Sequence, residues 1–236
     1  MLVAIDSSQE ICTLALGQDS KLVAEYHFAH KMNLLRRLLP NIDAMLADSG
    51  IEKEALEGVV VSLGPGSFTG LRIGVTTAKS LAWVLGKPIV GIGTLDAIAH
   101  GASCGQEFVC PMIFARADEA YWALFQRGKR VTDYAVAPVN EIVDALAGKG
   151  PVRFAGTGAR RNWETISARM GDQAALAPAC DDFARGAALI ELGGRRLVAG
   201  DVDDAMTLSP LYVRKPTPVV RLEAGELGTR TRQGEG

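Results

Sequence analysis

Hydrophobic and polar positions follow a strand and helix order in the first hundred residues that is typical of a mixed α/β domain. Three strand-like runs are separated by short polar turns, which predicts two consecutive hairpins. Leucine and isoleucine then recur at three- and four-residue spacing, which predicts an amphipathic helix that ends near Gly50 and is kinked or delayed by Pro40. A buried strand, a glycine-rich turn, a helix stopped by Gly86 and a further strand follow, so these two strands should be parallel. The predicted strands are residues 2–6, 11–16, 21–28, 59–63 and 88–92.

The second half of the chain repeats this order. Its predicted strands are residues 108–114, 120–126, 132–136 and 152–155, and its predicted helices are residues 139–147, 160–170 and 183–199. We therefore expect an α/β fold with two duplicated βββαβα lobes, at 1–103 and 104–216. The polar, glycine-rich residues 217–236 are expected to form a tail.

Composition narrows the class of protein. The chain has 236 residues with 25 Lys and Arg against 27 Asp and Glu, so it lacks the basic surface of a dedicated nucleic-acid binder. It shows neither a leader pattern nor an apolar run of about 18 residues, so we expect a cytoplasmic protein without a membrane segment. No C-x-x-C pair occurs, and we expect buried, reduced thiols. The four cysteines are Cys12, Cys104, Cys110 and Cys180.

The glycine-rich segment at 64–74 has two interpretations. It precedes a helix, where backbone N–H groups can bind an anion, but no Lys follows Gly70 and the dinucleotide spacing is missing. Small residues at four-residue spacing continue along the helix and allow another backbone to approach. That neighbour is either the helix at 34–46 of the same chain or another subunit. The stripe consists of Gly70, Gly74, Ala78 and Ala82.

Several motifs in the same order resemble the TsaB (YeaZ) family, and they span residues 2–214. The glycine-rich undecapeptide at 64–74 is the most specific of them. The others are Ala4-Ile5-Asp6-Ser7-Ser8, His30 with Leu38-Leu39-Pro40, Gly91-Ile92-Gly93-Thr94-Leu95, Ala115-Arg116 with Tyr121-Trp122, and Pro210-Leu211-Tyr212-Val213-Arg214. One position departs from the family, since Phe114 stands where relatives usually carry Asp.

This resemblance implies an actin-like or sugar-kinase-like ATPase fold and a non-catalytic role. The family's larger paralogue TsaD transfers threonylcarbamoyl to N6 of an adenosine beside the tRNA anticodon. We expect this chain to bind TsaD, with TsaE in a larger complex, and to meet tRNA mainly through that complex. The expected docking helices are 31–49 and 69–86. The partner-binding candidates are Leu34, Leu38, Ile42, Gly70, Gly74, Ala78 and Ala82.

The resemblance also identifies candidates for nucleotide binding. An acid at the end of the first strand of an actin-like ATPase orients a metal-bound water, although Asp6 could equally stabilise its own turn. We expect no cofactor of the chain's own, and ATP or ADP only at the interface of the complex. The candidates are Asp6, Ser7, Ser8, Gly64, Gly66, Ser67, Gly156 and Gly158.

Catalytic and metal-binding motifs are missing. TsaD-like proteins bind a metal through His-x-x-x-His, whereas the corresponding stretch here begins with Thr94 and ends with Ile98. The histidines are His27, His30 and His100, and none forms such a pair; Ser67 lacks a nucleophile elbow. We therefore expect no metal site and no catalytic residue, which disfavours the older metallopeptidase label. Two alternatives stay open: a stand-alone ATPase or small-molecule kinase, and a homodimer formed through the same helices.

Overall fold

A five-stranded and a seven-stranded β-sheet form the framework of the protein in a computed structural model. The structure describes residues 1–19, 21–29, 33–103 and 105–214. The first sheet has the order β3-β2-β1-β4-β5; β1, β2 and β3 are antiparallel, and β1, β4 and β5 are parallel. Its strands are β1 (Leu2–Asp6), β2 (Ile11–Gln18), β3 (Lys21–Ala29), β4 (Gly58–Gly64) and β5 (Ile89–Gly93). His30, Cys104 and the predicted tail at 217–236 lie outside the described residues.

The second sheet repeats this topology, with the order β10-β7-β6-β11-β12 and the same parallel and antiparallel pairs. The predicted duplication is therefore confirmed. The predicted strand at 120–126 is divided in two, into β7 and β8. Strands β9 and β12 escaped prediction because such short strands show no alternation. The strands are β6 (Phe108–Arg116), β7 (Glu119–Trp122), β8 (Phe125–Gln126), β9 (Lys129–Arg130), β10 (Ala135–Pro138), β11 (Val152–Ala155) and β12 (Ala174–Leu176).

Seven α-helices of the described residues cover the two sheets. Pro40 lies inside the first of them, so that helix does not begin late. Ser67 caps the second helix by accepting a hydrogen bond from the Gly70 amide, and Gly86 ends it in the left-handed conformation at φ 62°. The helices are α1 (Leu34–Asp48), α2 (Phe68–Leu85), α3 (Thr94–Ala102), α4 (Val139–Leu146), α5 (Thr157–Arg161), α6 (Trp163–Met170) and α7 (Gly186–Val198).

Alternation along β1 divides the first lobe into two apolar layers. Val3 and Ile5 face the layer that holds α1 and α2, whereas Leu2 and Ala4 face the layer that holds α7. Helix α7 contacts all five strands of the first sheet, and α3 packs against both α7 and β6. Packing therefore does not follow the expected lobe boundary at 103/104, because the last helix, α7, returns to cover the first lobe.

No helix among the described residues has the length and apolar character needed to cross a membrane.

Candidate functional site

A cleft of about 1380 Å³ lies between the lobes, beside the carboxyl ends of the parallel strands of both sheets. Ligands of open α/β sheets bind at such edges. The first lobe contributes the β1–β2 turn and the start of α2, and the second lobe contributes the end of β6 and α5. Residues 211–214 complete the wall. The cleft therefore brings together candidates from both halves of the duplication.

The glycine-rich segment packs directly onto the β1–β2 turn. A Cβ on Gly66 would lie 2.2 Å from the Ser8 carbonyl oxygen, and one on Gly70 would lie 2.1 Å from that of Ser7. The Ser67 amide donates to the Ser8 carbonyl at 2.6 Å, and Ser7 Oγ donates to the Gly70 carbonyl at 2.9 Å. These glycines thus allow two backbone segments to touch, and the turn that they cover is buried.

Asp6 is fully buried beneath this contact. Its Oδ1 accepts a hydrogen bond of 3.1 Å from the Ser8 amide, which is the turn-stabilising bond of an Asx turn. Its Oδ2 has no hydrogen-bond partner among the described residues. Burial raises the pKa of this carboxyl above its usual range, although nearby hydrogen bonds with Ser8 oppose the rise.

The corresponding glycines of the second lobe pack in the same way. Gly156 has φ 98°, and a Cβ there would lie 2.3 Å from the Met112 carbonyl oxygen. A Cβ on Gly158 would lie 2.9 Å from the Ile113 carbonyl carbon. Both glycines thus bring the start of α5 against β6.

A polar contact that sequence reasoning missed joins the two lobes across the cleft. Thr157 Oγ1 donates to Gln9 Oε1 at 3.0 Å and accepts from the Phe114 amide at 3.2 Å. Gln9 Nε2 in turn donates to the Asp182 carbonyl at 3.5 Å. No periodicity or motif distinguishes Gln9, because its partners are more than a hundred residues away.

Phe114 forms a platform for an arginine on the second-lobe wall. The guanidinium carbon of Arg161 lies 4.1 Å from the centroid of its ring. The neighbouring Arg160 is already engaged, since it pairs with the buried carboxylate of Asp182 and donates to the Ala177 carbonyl at 2.8 Å. The unusual aromatic residue at 114 thus places a guanidinium beside the cleft.

Residues 211–214 cross from one lobe to the other, and we call them the strap. The Leu211 amide donates to the Leu63 carbonyl at 2.7 Å, and Tyr212 packs on Phe68 with ring centroids 5.1 Å apart. Arg214 pairs with Glu119 of β7. The family-like motif at 210–214 thus joins the first lobe to the second.

The seven predicted partner-binding residues all lie inside the chain's own core. Leu34, Leu38, Ile42, Gly70, Gly74, Ala78 and Ala82 are buried. Gly74 does not meet α1, since its nearest neighbour is Ser7 Oγ, 2.0 Å from the position of an added Cβ. The stripe is therefore an internal packing surface and not an exposed partner-binding surface, which corrects the prediction. Helices α1 and α2 expose other apolar side chains. These are Leu35, Leu39, Trp83 and Val84, which are 73%, 52%, 74% and 73% exposed.

The histidines within the described part have partners in the fold. His27 contacts Thr13 Oγ1 at 3.0 Å and Glu25 Oε1 at 3.3 Å. His100 contacts Glu191 Oε2 at 2.9 Å and so links α3 to α7. Over the ranges that the structure describes, no group of three His, Cys, Asp or Glu side chains could hold a metal ion.

Two of the cysteines agree with the expectation of buried thiols. Cys12 and Cys110 are buried and unpaired, and burial raises the pKa of both thiols. Cys180 is exposed, so the expectation is wrong for this residue.

Comparisons with known proteins agree on one family. Residues 29–168 match the family model described as TsaD, tRNA N6-adenosine threonylcarbamoyltransferase. The tRNA threonylcarbamoyladenosine biosynthesis protein TsaB of Bacillus subtilis is 30% identical over 218 residues, which cover 90% of this chain and 93% of that protein. The Escherichia coli protein of the same name is 32% identical, with 77% of this chain and 83% of that protein covered.

Solved structures extend this likeness to the fold. YeaZ from Pseudomonas aeruginosa has a TM-score of 0.75 and 28% identity, covering 89% of this chain and 98% of that chain. A polyphosphate/ATP-glucomannokinase from Arthrobacter, at a TM-score of 0.52 and 14% identity, covers 82% of this chain and 98% of that chain and shares the fold alone. The predicted actin-like and sugar-kinase-like fold is confirmed.

Proposed function

We propose that this chain, which belongs to the TsaB (YeaZ) family, acts as a non-catalytic subunit that binds and supports TsaD. Membership of this family gives it a role in tRNA threonylcarbamoyladenosine biosynthesis. The observation that carries the proposal is the burial of the β1–β2 turn. In an actin-like ATPase this turn approaches a phosphate. Here Asp6, Ser7 and Ser8 are buried, and Gly66 and Gly70 press against the turn. The carboxylate and the two hydroxyls of these residues are therefore covered, although the turn borders the cleft.

The exposed sides of α1 and α2 support a docking role. Leu35 and Leu39 lie one helical turn apart on α1, and Trp83 and Val84 are adjacent on α2. All four are more than half exposed. Large apolar side chains that a protein leaves in contact with water often mark an interaction surface. We therefore place the TsaD contact on these four residues, which we call the docking residues, and no longer on the buried stripe.

Copurification with TsaD tests this placement. Leu35→Glu with Trp83→Glu adds two charges to the proposed interface and should abolish the complex, because a desolvated unpaired charge is costly. Val198→Glu is the matched control, since Val198 is 90% exposed at the end of α7. The control should bind TsaD like the parent chain. Loss of the modified nucleoside in cells carrying only the double variant should accompany loss of the complex. An intact complex with the double variant would exclude this interface.

An ATP hydrolysis assay distinguishes the alternative of a stand-alone ATPase or kinase. The purified chain should not hydrolyse ATP at millimolar concentration, because the acid and hydroxyls of its β1–β2 turn are covered. Catalytic use of ATP would then belong to the interface of a larger complex with TsaD and TsaE, with tRNA recruited by that assembly. Stoichiometric turnover of ATP by the isolated chain would contradict the non-catalytic assignment. Light scattering of the same sample would show whether the docking residues also support a homodimer.

A further inference from the structure

Three arginines of the described residues line the cleft, and two of them are paired within the fold. Arg160 pairs with Asp182, and Arg214 pairs with Glu119. In the described part of the chain Arg161 makes no ion pair; it lies over the Phe114 ring. A guanidinium held by an aromatic face keeps its N–H donors for another acceptor. The cleft wall therefore presents a positioned cation with unused donors.

Most of the remaining wall is apolar. Ile11 comes from the first lobe, and Ile113 and Phe183 come from the second. Pockets of this kind use a few polar groups to orient a ligand and apolar surface to bind its body. Glu10 lies on the first-lobe side of the cleft, and it is exposed, as Arg161 is. Solvent therefore screens both charges, and the hydrogen bonds of the guanidinium matter more than the net charge.

We infer that this cleft binds a small molecule that carries one oxyanion, a carboxylate or a phosphate monoester, on an apolar or aromatic body. Arg161 donates two parallel N–H bonds to the oxyanion, and Phe114 fixes the guanidinium plane. The apolar body lies along Ile113 and Phe183. The buried side chains of Asp6, Ser7 and Ser8 take no part, and neither do the docking residues, so this site is separate from the proposed TsaD contact.

Calorimetric titration with phenyl phosphate, benzoate and inorganic phosphate tests the inference. A ligand of this size binds in about the millimolar range. We expect phenyl phosphate, benzoate or both to bind, and inorganic phosphate to bind more weakly because it lacks the apolar body. The stronger of the two aromatic probes identifies whether the oxyanion is a phosphate or a carboxylate. Absence of binding for both aromatic probes at about 10 mM, or equal binding of inorganic phosphate, would overturn the inference.

Variants separate the role of Arg161 from general effects on the fold. Arg161→Gln should weaken binding about 10- to 100-fold, since charge-assisted hydrogen bonds are lost. Phe114→Asp should weaken it similarly because the new carboxylate would pair with Arg161, whereas Phe114→Leu should lose less. Glu10→Gln should bind slightly more tightly. Thermal unfolding confirms that each variant is folded. Unchanged affinity in a folded Arg161→Gln protein would refute the site.

Discussion

Replacing Gly74 by alanine tests whether the glycine-rich helix packs on its own chain. The added Cβ would lie 2.0 Å from Ser7 Oγ and 3.2 Å from Ser7 Cβ. The Ser7 side chain must therefore move, and its hydrogen bond of 2.9 Å to the Gly70 carbonyl must break. If the stripe instead faced another subunit, the isolated protein would tolerate the substitution.

Three contributions set the size of the effect. Alanine is favoured over glycine in a helix by about 1 kcal/mol. Leaving a buried polar group without its hydrogen bond costs about 1–3 kcal/mol, and overpacking a core costs about 1–3 kcal/mol. The balance is a loss of about 1–5 kcal/mol in the free energy of unfolding. The steric and hydrogen-bond costs thus outweigh the gain in helix propensity.

Urea denaturation of the isolated chain measures this loss. Gly194→Ala is the matched control, because Gly194 lies within α7 and an added Cβ would meet only Leu2 Cδ1 at 3.5 Å. The control should be stabilised by up to about 1 kcal/mol. The double variant Ser7→Ala with Gly74→Ala should lose less than the sum of the single variants, since removing Oγ relieves the clash. An unchanged or stabilised Gly74→Ala protein would refute this account of the packing.

Two further predictions concern buried acids. Burial disfavours ionisation of Glu25, but hydrogen bonds from His27, Arg185 and the Gly186 amide outweigh it and lower its pKa from 4.5 to about 2. Glu25→Gln should therefore cost about 1–3 kcal/mol at pH 7 by urea denaturation, because solvent screens part of the interaction, and the deficit should shrink as pH falls from 4.5 to about 2. A deficit independent of pH would contradict this. Because burial raises the pKa of Asp6, Asp6→Asn should raise the melting temperature at pH 7, with a gain that vanishes below pH 3.8, where the unfolded carboxyl is also protonated. An Asn variant that melts lower at pH 7 would show that the charge stabilises the turn.

The hydrophobic pattern predicted the positions of the helices better than it predicted which residues pack against them. The small side chains of Gly70, Gly74, Ala78 and Ala82 correctly indicate a close approach, but periodicity identifies a buried face without identifying what covers it. Ser7 is the neighbour of Gly74, and its hydroxyl carries no sequence signal for that contact. Periodicity alone therefore does not separate the buried stripe from the exposed residues of the same two helices.

Long-range polar contacts limited the prediction of the site in a different way. Gln9 meets Thr157 and Asp182 across the cleft, and Arg161 meets Phe114 from another element. These pairings depend on how the two lobes are placed, which local propensity does not specify. The departure at Phe114 was nevertheless visible in the sequence, and it is the signal that could have drawn attention to this wall.

The return of α7 to the first sheet has a consequence for synthesis on the ribosome. Chains emerge amino end first, and domains generally fold as units. Here one face of the first sheet is covered by a helix that spans Gly186–Val198, so the first lobe is incomplete until most of the chain has been translated. Leu2 and Val60 on that face stay uncovered until Leu189 and Ile190 have been translated. Nascent chains stalled before Gly186 should thus expose a chaperone-binding surface, although every strand of the first sheet is already made.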